Sequence, residues 1–403
     1  KCNQGCDGCS ESRSGERGAR SEKCNQGCDG CSESRSGERG ERSGERGARS
    51  EKCNEAQGGN LAPRSSLPAP RIIDLTGGLG VDFAFLAQAL APAKGSVRCG
   101  SAAVTATYVE RQPHLCEAAR HNFRLLGLHH AEVVCADAND YLHQLDQAYL
   151  IYMDPARRDT KGSRTYAISD CTPDVLAMEE ELLEKAEWVM VKLSPMLDWH
   201  KAVSDLNRLG DVVRQVHIVS VGNECKELLL LLSKRHDDEL TVHCVNDDSR
   251  FVFSWSEITN LTPRSSLLAP RMASPIHLYE PNASIMKAGC FDMLQKRFNA
   301  TPIGQNSHLF VSSDFIEDFP GRKFQILAVS SVNKIAAKMR RFATDRANVA
   351  VRNFPMTAEQ LRKKLKLKDG GDSYLFGSTL EGKELADAWE VKTGPIVIIA
   401  KKT

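Results

Sequence analysis

Two strongly apolar runs, residues 213–221 and 226–232, are joined by nothing longer than the turn Gly222 to Cys225. A connection that short cannot make the crossover that parallel strands require, so the two runs must form an antiparallel hairpin. Upstream, from Ile72 onward, short apolar runs at 71–75, 105–109, 132–135, 149–153 and 187–193 alternate with stretches that read as helices over 81–90, 113–126, 174–185 and 199–208. Alternation of that kind builds a mostly parallel sheet with helices on both faces. The expectation is an α/β domain with a seven-stranded, doubly wound sheet whose last two strands form a hairpin at its edge.

Composition removes several classes. Lys plus Arg number 53 and Asp plus Glu 52, a net charge of +1, so no global basic excess marks a nucleic-acid binder, although a neutral sum can conceal a basic domain. Apolar residues make up 41% of the 403, enough for a globular core, and the length allows two or three domains. The longest aliphatic run, Leu228 to Leu232, is far below the roughly 18 residues that would suggest a membrane span. No membrane partner is expected. Residues 1–67 hold two Leu and no Val, Ile, Met, Phe, Tyr or Trp, so no signal-peptide core is visible. The chain opens on Lys1 rather than Met, as a fragment would.

Lys1 to Glu22 reads KCNQGCDGCSESRSGERGARSE, recurs from Lys23 with an extra RSGERGE unit, and begins a third time at Lys52. Rich in Gly, Ser, Arg and Glu, it reads as a solvated, disordered arm. Of the 14 cysteines, Cys2, Cys6, Cys9, Cys24, Cys28, Cys31 and Cys53 fall in this repeat. Their spacing is compatible with an iron–sulfur cluster, but a triplet copied twice in an unshielded tail reads better as a duplicated low-complexity segment. Cys99, Cys116, Cys135, Cys171, Cys225, Cys244 and Cys290 show no CxxC pairing, which fits a reduced, cytoplasmic setting. A second repeat, NLAPRSSLPAPR at 60–71 and NLTPRSSLLAPR at 260–271, reads as linker or inserted sequence.

The chemistry gathers where strands end. The first strand runs into DLTGGLGVD, Asp74 to Asp82, whose glycines let the backbone turn sharply and approach a ligand beside a helix N-terminus. The second strand ends at Glu110, where a carboxylate can accept from both hydroxyls of a ribose, the third at Asp137, and the fourth in Asp154-Pro155-Ala156-Arg157-Arg158. Any one of these carboxylates is more often a turn or cap residue. Polar residues ending four consecutive strands mark the edge where open parallel sheets bind ligands.

This set resembles the class I methyltransferases that use S-adenosylmethionine, whose fold has seven strands with a terminal hairpin. It does not read as a nicotinamide dehydrogenase, because the turn lacks a clean GxGxxG and no catalytic His, Tyr or Lys constellation follows. More narrowly, the chain resembles a bacterial methyltransferase family whose C-terminal part is ferredoxin-like followed by THUMP-like. The match is carried by DLTGGLGVDF (74–83), DPARRD (154–159), ISDCTPDV (168–175), KLSPMLD (192–198), YEPNASIMKAG (279–289) and AVRNFPMTAEQLRKKLKL (350–367). It covers Ile72 to Thr403 with a break at 257–274, and the helical segment that members usually carry before the first strand is replaced by the repeat. The resemblance implies an arm and linker at 1–70, a methyltransferase domain at 71–256, an inserted linker at 257–274, a ferredoxin-like segment at 275–325 and a THUMP-like domain at 326–403. It also implies that Asp74, Thr76, Gly77, Gly78, Gly80 and Asp82 shape the methionine side of the cofactor, that Glu110 holds the ribose and Asp137 the adenine edge, and that Asp154 and Pro155 act on the methyl acceptor.

DPAR is related in position to the Asp/Asn-Pro-Pro-aromatic motif of enzymes that methylate exocyclic amines, with Ala156 and Arg157 where Pro and the aromatic would stand. Arg157 and Arg158 can hold a phosphate bidentately or pair with Asp159, Asp170 or Asp174. Lys192, at the end of the fifth strand, is a candidate substrate contact, with a solvated or helix-dipole role as the plainer reading. Cys135 and Cys171 read as packing residues. His129, His130, His217 and His243 lack ligand spacing, so no metal is expected. Ala283 to Phe298 reads as one helix, and strands at 374–377 and 395–400 close the chain. From Asn333 to Lys368 there are 11 Lys or Arg against 2 acidic residues. A Thr357/Gln360 capping box opens a helix with Arg362, Lys363, Lys364 and Lys366 around a Leu361/Leu365 face. A solvated face usually explains such a helix, but likeness to THUMP-like modules implies RNA capture. The reading is an S-adenosylmethionine-dependent RNA methyltransferase working by direct transfer, with Arg362, Lys363 and Lys364 on the RNA. The alternatives are a catalytically silent RNA-binding protein and a methyltransferase for a protein or small molecule.

Overall fold

The structure is a computed structural model that describes residues 71–90, 104–157, 168–260, 276–342 and 345–403. The repeat arm, Arg158 and residues 261–274 of the expected linker lie outside the described residues. Ser65–Thr403 forms one compact unit.

Strands β1 (Arg71–Asp74), β2 (Thr105–Glu110), β3 (Ala131–Cys135), β4 (Ala148–Met153), β7 (Ala186–Leu193), β8 (Val213–Val221), β9 (Glu224–Leu232), β10 (Thr241–Asn246) and β11 (Ser249–Ser254) make the first sheet. Its order is β11-β10-β8-β9-β7-β4-β1-β2-β3. The parallel strands β1, β2, β3, β4 and β7 stand where expected. The expected hairpin is also present, with β9 inserted antiparallel between β7 and β8. It does not lie at the edge. β10 pairs parallel to β8 and β11 returns antiparallel to β10, giving nine strands instead of seven. The extension was legible as alternation: Val242, Cys244, Phe251 and Phe253 are buried at every second position, and Asp247, at φ 51°, turns the hairpin. A short ribbon of β5 (Ala156–Arg157) and β6 (Cys171–Thr172) joins DPAR to the ISDCTPDV segment.

Helices cover the two faces separately. On one, Ala106 and Tyr108 of β2 pack with Phe83 and Ala87 of α1 (Val81–Leu90) and Cys116, Ala119 and Phe123 of α2 (Pro113–Leu125). On the other, Ile151, Val189 and Val191 pack with Leu142 of α3 (Ala138–Gln144), Leu182 and Leu183 of α4 (Val175–Lys185) and Trp199 of α5 (Trp199–Leu206). Asp137, Asp174 and Asp198 cap α3, α4 and α5, each accepting from backbone N–H groups that the first turn leaves unpaired. Glu257, expected in the linker, belongs instead to α6 (Trp255–Thr259), where it completes a capping box with Ser254 and pairs with Arg297 at 2.8 Å.

The second sheet holds β12 (His277–Pro281), β13 (Thr301–Pro302), β14 (Phe310–Ser312), β15 (Gly321–Ser331), β16 (Asn348–Arg352), β17 (Ser373–Leu380) and β18 (Gly394–Lys402), in the order β13-β14-β12-β15-β18-β17-β16. β15 runs unbroken through residues 325 and 326. The single helix expected over Ala283–Phe298 is two, α7 (Ala283–Ala288) and α8 (Phe291–Phe298), because Gly289 adopts φ 72° and ends the first. Ile285, Ala288, Met293 and Leu294 of these helices join the same core as Val216, Val242 and Cys244 of the first sheet. On the second sheet, α9 (Ile335–Met339) and α10 (Ala358–Leu365) cover one face through Ile335, Met339 and Leu361, and α11 (Lys383–Ala388) covers the other through Leu385.

The YEPNASI and RNFP motifs meet in a buried ion cluster. Glu280, 3% exposed, accepts from Arg322 Nε at 2.8 Å and from Arg352 Nη2 at 2.9 Å. Two residues on, Asn282 caps α7, accepting from Ile285 N at 3.1 Å and Ser284 Oγ at 2.8 Å. Ala283 N donates to Asn223 Oδ1 in the β8–β9 turn at 2.8 Å. Removing Glu280 leaves two guanidiniums without their shared acceptor. Glu280→Ala should therefore lower unfolding stability by about 3 kcal/mol, the low end for a broken buried pair because both arginines are partly exposed, and Glu280→Gln by less. Urea unfolding of the two variants checks this.

Candidate functional site

The loop after β1 is held from both sides. Asp74, 2% exposed, accepts through Oδ1 from Thr76 N at 2.9 Å. Gly77 N donates to Val109 O at 2.9 Å, and Gly78 N to Glu110 Oε2 at 3.0 Å. Tyr108 Oη donates to Gly78 O at 2.5 Å. A Cβ on Gly77 would stand 2.2 Å from the Tyr108 ring, and Gly78 and Gly80 have φ of 53° and 75°, so the glycines are required by close approach and by backbone conformation alike. Glu110 also accepts from Gln112 N through Oε1 at 2.9 Å. Each of its oxygens thus holds one N–H and keeps acceptor capacity for another donor.

A second network ties this loop to the DPAR turn. Asp154 N donates to Thr76 Oγ1 at 2.6 Å. Lys192 Nζ lies 2.8 Å from Asp154 Oδ2 and 2.5 Å from Asp82 Oδ2, and Tyr152 Oη donates to Asp82 Oδ2 at 2.7 Å. Lys192 is 18% exposed, so the plainer reading of a solvated lysine is replaced by a bridge between two carboxylates. The charges respond accordingly. Burial would lower the Lys192 ammonium, but Asp154 and Asp82 raise it above its usual value. Burial opposes ionisation of Asp82, yet Lys192 and Tyr152 hold it below the usual carboxylate range. Burial pushes Asp74 up to about 7, and Asp82 and Asp154 add to the rise.

Glu227 joins the group unannounced by any motif. Burial raises it, Lys192 draws it down, and Asp154 and Asp82 push it up. It reaches this position because β9 is irregular: Val219 pairs with Glu227 but Ser220 pairs with Cys225. The extra residue re-aims the chain, as bulges beside functional sites commonly do. Tyr152 and Tyr108 were missed as well. Their signal was position alone, on the strands that carry Asp154 and Glu110.

The remaining candidates are dispersed. Asp137 stands at the end of β3 as the cap of α3, accepting from Asn139 N at 2.9 Å. Pro155 is buried beside Asp154, and Arg157 enters the β5–β6 ribbon through its backbone. Arg362, Lys363 and Lys364 lie on α10, against the second sheet. Arg362 pairs with Asp369 at 2.8 Å and Lys363 with Glu359 at 2.9 Å, while Lys364 is exposed. Among the described residues no cluster of His, Cys, Asp or Glu is arranged to hold a metal, and no helix is long and apolar enough to cross a membrane.

Residues 277–320 match a ferredoxin-like domain model and 321–390 a THUMP domain-like model. The crystal structure of a proposed methyltransferase from Porphyromonas gingivalis W83 superposes with a TM-score of 0.66 at 29% identity, over 83% of this chain and 78% of that one. The chain has a class I methyltransferase fold followed by ferredoxin-like and THUMP-like domains. A SAM-dependent methyltransferase from Agrobacterium tumefaciens is similar at 19% identity and TM-score 0.29, over 41% of this chain and 56% of that one. An rRNA methylase from Streptococcus thermophilus is similar at 14% identity and TM-score 0.29, over 41% and 86%. Both are too distant to inform the chemistry. No functionally curated protein matches the chain.

The buried carboxyl of Asp74 has a measurable consequence. Because its folded pKa lies above the unfolded value, the native state holds a proton that the unfolded state has lost between about pH 4 and 7, and stability falls with rising pH across that window. Asp74→Asn keeps the acceptor for Thr76 N and removes the cost. The variant should match the wild type near pH 4 and exceed it by on the order of 2–4 kcal/mol at pH 8, read by urea unfolding against pH.

Proposed function

We propose that the chain is an S-adenosylmethionine-dependent methyltransferase that modifies an RNA base by direct transfer. The observation that carries this reading is the pair of links, Asp154 N to Thr76 Oγ1 and Lys192 between Asp154 and Asp82, that joins the glycine loop to the DPAR turn. A cofactor loop and an acceptor loop held as one body favour transfer by positioning, without a covalent enzyme intermediate. The residues present suit the cofactor. Asp74, Thr76, Gly77, Gly78, Gly80 and Asp82 would hold the methionine side, Glu110 the ribose through its remaining lone pairs, and Asp137 the adenine edge. S-adenosylmethionine supplies a methyl group on a positively charged sulfur.

The acceptor side is argued from charge. Asp82 and Asp154 both reach the Lys192 ammonium, so two carboxylates face one cation at this corner. Such a corner favours positive charge and N–H donors and repels phosphate. Asp154 and the Pro155 carbonyl would accept the hydrogens of an amine and aim its lone pair, with the base turned out of its stack. Lys192 would hold Asp154 in place. The THUMP-like match and the basic segment around α10 support RNA as the partner.

Calorimetry should detect S-adenosylmethionine binding, and Glu110→Ala should weaken it by roughly 1.5–3 kcal/mol for each lost ribose hydrogen bond. Unchanged affinity would remove the cofactor assignment. Charge reversal of Arg362, Lys363 and Lys364 should weaken RNA binding and flatten its salt dependence, because fewer counterions are released. Asp154→Ala should retain both ligands and lose transfer of labelled methyl to RNA.

A further inference from the structure

Helices α9 and α10 lie on the same face of the second sheet and carry more cations than the acids beside them neutralise. After α9 the chain makes a single 3₁₀ turn, Arg340–Phe342, and α10 ends on Lys366, which adopts φ 56°. Backbone bonds join the segments that follow these two ends. Lys368 N donates to Asp345 O at 2.8 Å, and Ala347 N donates to Lys368 O at 3.0 Å. We infer that this end of the THUMP-like domain holds a single-stranded segment of the RNA, with Arg340, Arg341, Lys364 and Lys366 on its phosphates and Phe342 against an unpaired base. The assignment rests on the RNA reading above and adds to it the surface and the strandedness of the partner.

The charges at this end do not cancel. Glu359 holds Lys363 at 2.9 Å, Asp369 holds Arg362 at 2.8 Å, and Asp345 faces Lys368 at 3.9 Å. Between Val332 and Asp372 the sequence has one acid outside those pairs, Asp372 itself. Arg340, Arg341, Lys364 and Lys366 are all exposed and, among the described residues, none lies within ion-pair distance of a carboxylate. Four free cations therefore stand against one carboxylate. The opposite face of the sheet has the reverse balance, because α11 and its flanks carry Glu381, Glu384, Asp387 and Glu390 against Lys383 and Lys392. A polyanion is thereby directed to the α9 and α10 side.

Charge alone would suit any polyanion, and Phe342 narrows the choice. It directly follows Arg340 and Arg341 and is 39% exposed, whereas Ile335, Met339 and Leu361 on the same side are buried in the core. An open aromatic ring beside guanidiniums offers an unpaired base a stacking surface. A duplex keeps its bases stacked on one another and presents mainly its backbone, so it gains nothing from such a ring. The large apolar residues of α9 and α10 are not exposed, so the surface lacks the apolar face that insertion into a membrane interface needs. Arg362 and Lys363 are already engaged by carboxylates, which leaves the larger share of the phosphate contact to the four free cations.

The test uses the full chain and a fluorescein-labelled, mixed-sequence 12-nucleotide single-stranded RNA, titrated by anisotropy at several KCl concentrations, with an RNA duplex of the same sequence as comparison. Arg340→Glu with Arg341→Glu should weaken single-strand binding about tenfold or more and reduce the salt slope by about 1.4, the loss of two phosphate contacts at roughly 0.7 each. The Arg340→Gln/Arg341→Gln pair should show a smaller loss in the same direction, which separates charge from misfolding. Phe342→Ala should weaken single-strand binding about tenfold with the slope unchanged, and Phe342→Trp should preserve it. Duplex binding should respond to neither, and Lys363→Gln should change little. Wild-type affinity and slope in both arginine double variants would overturn this surface while leaving RNA as the partner. Unchanged single-strand affinity in Phe342→Ala, or an equal loss for duplex and single strand, would overturn the single-strand assignment. A wild-type protein that binds no RNA would overturn both this surface and the RNA reading, and binding to phosphatidylserine vesicles instead would assign the cations to a membrane surface.

Discussion

An extended sheet cannot leave an apolar face in water, and most of the architecture follows from how β8, β9 and β10 satisfy that constraint. Val216, Ile218, Leu228, Leu230, Val242 and Cys244 present one continuous apolar surface, and α7 and α8 cover it. Those helices belong to the ferredoxin-like segment, so the methyltransferase sheet borrows part of its core from the C-terminal half. Two domains joined only by a linker would move independently by default. Here a shared core and the Asn223–Ala283 hydrogen bond set their relation. The Glu280 cluster then carries that rigidity onward, because Arg322 and Arg352 sit on β15 and β16 of the second sheet.

Rigidity of this kind allows charges of opposite sign to be placed at fixed separation. Carboxylates collect where the glycine loop and the DPAR turn meet, and arginines and lysines collect along the second sheet and its helices. A near-neutral chain thus holds two regions with opposite preferences, which a net charge of +1 cannot reveal.

The legibility of these features in the sequence followed their range. Strand positions, the hairpin and the cap at Thr357 depend on local periodicity and turn chemistry, and the alternation that builds the parallel sheet is visible from Ile72 to Leu232. β10 and β11 obey the same period-two rule and were passed over because the hairpin was taken as the sheet's end. The break at Gly289 was written in the sequence as a helix-stopping residue. Glu227 belongs to another class. Its place in the site depends on one irregular residue pairing between β8 and β9, and no spacing announces where a bulge will fall. Lys192 was found by position and misjudged in character, because whether a lysine is solvated or bridging depends on carboxylates that reach it from distant parts of the chain.

The bridge at Lys192 also explains why the glycine loop and the DPAR turn are found in one arrangement. Asp82 and Asp154 approach the same Nζ within 2.5 and 2.8 Å, so without that ammonium two like charges would face each other across a partly buried gap, and repulsion would separate the loops or force one carboxyl to take up a proton. With it, Nζ bridges the two carboxylates, and the Thr76–Asp154 hydrogen bond forms beside them. A displacement of the glycine loop is thereby transmitted to Asp154 through two independent links. Any ligand that orders Thr76 and Asp82 would thereby also order Asp154.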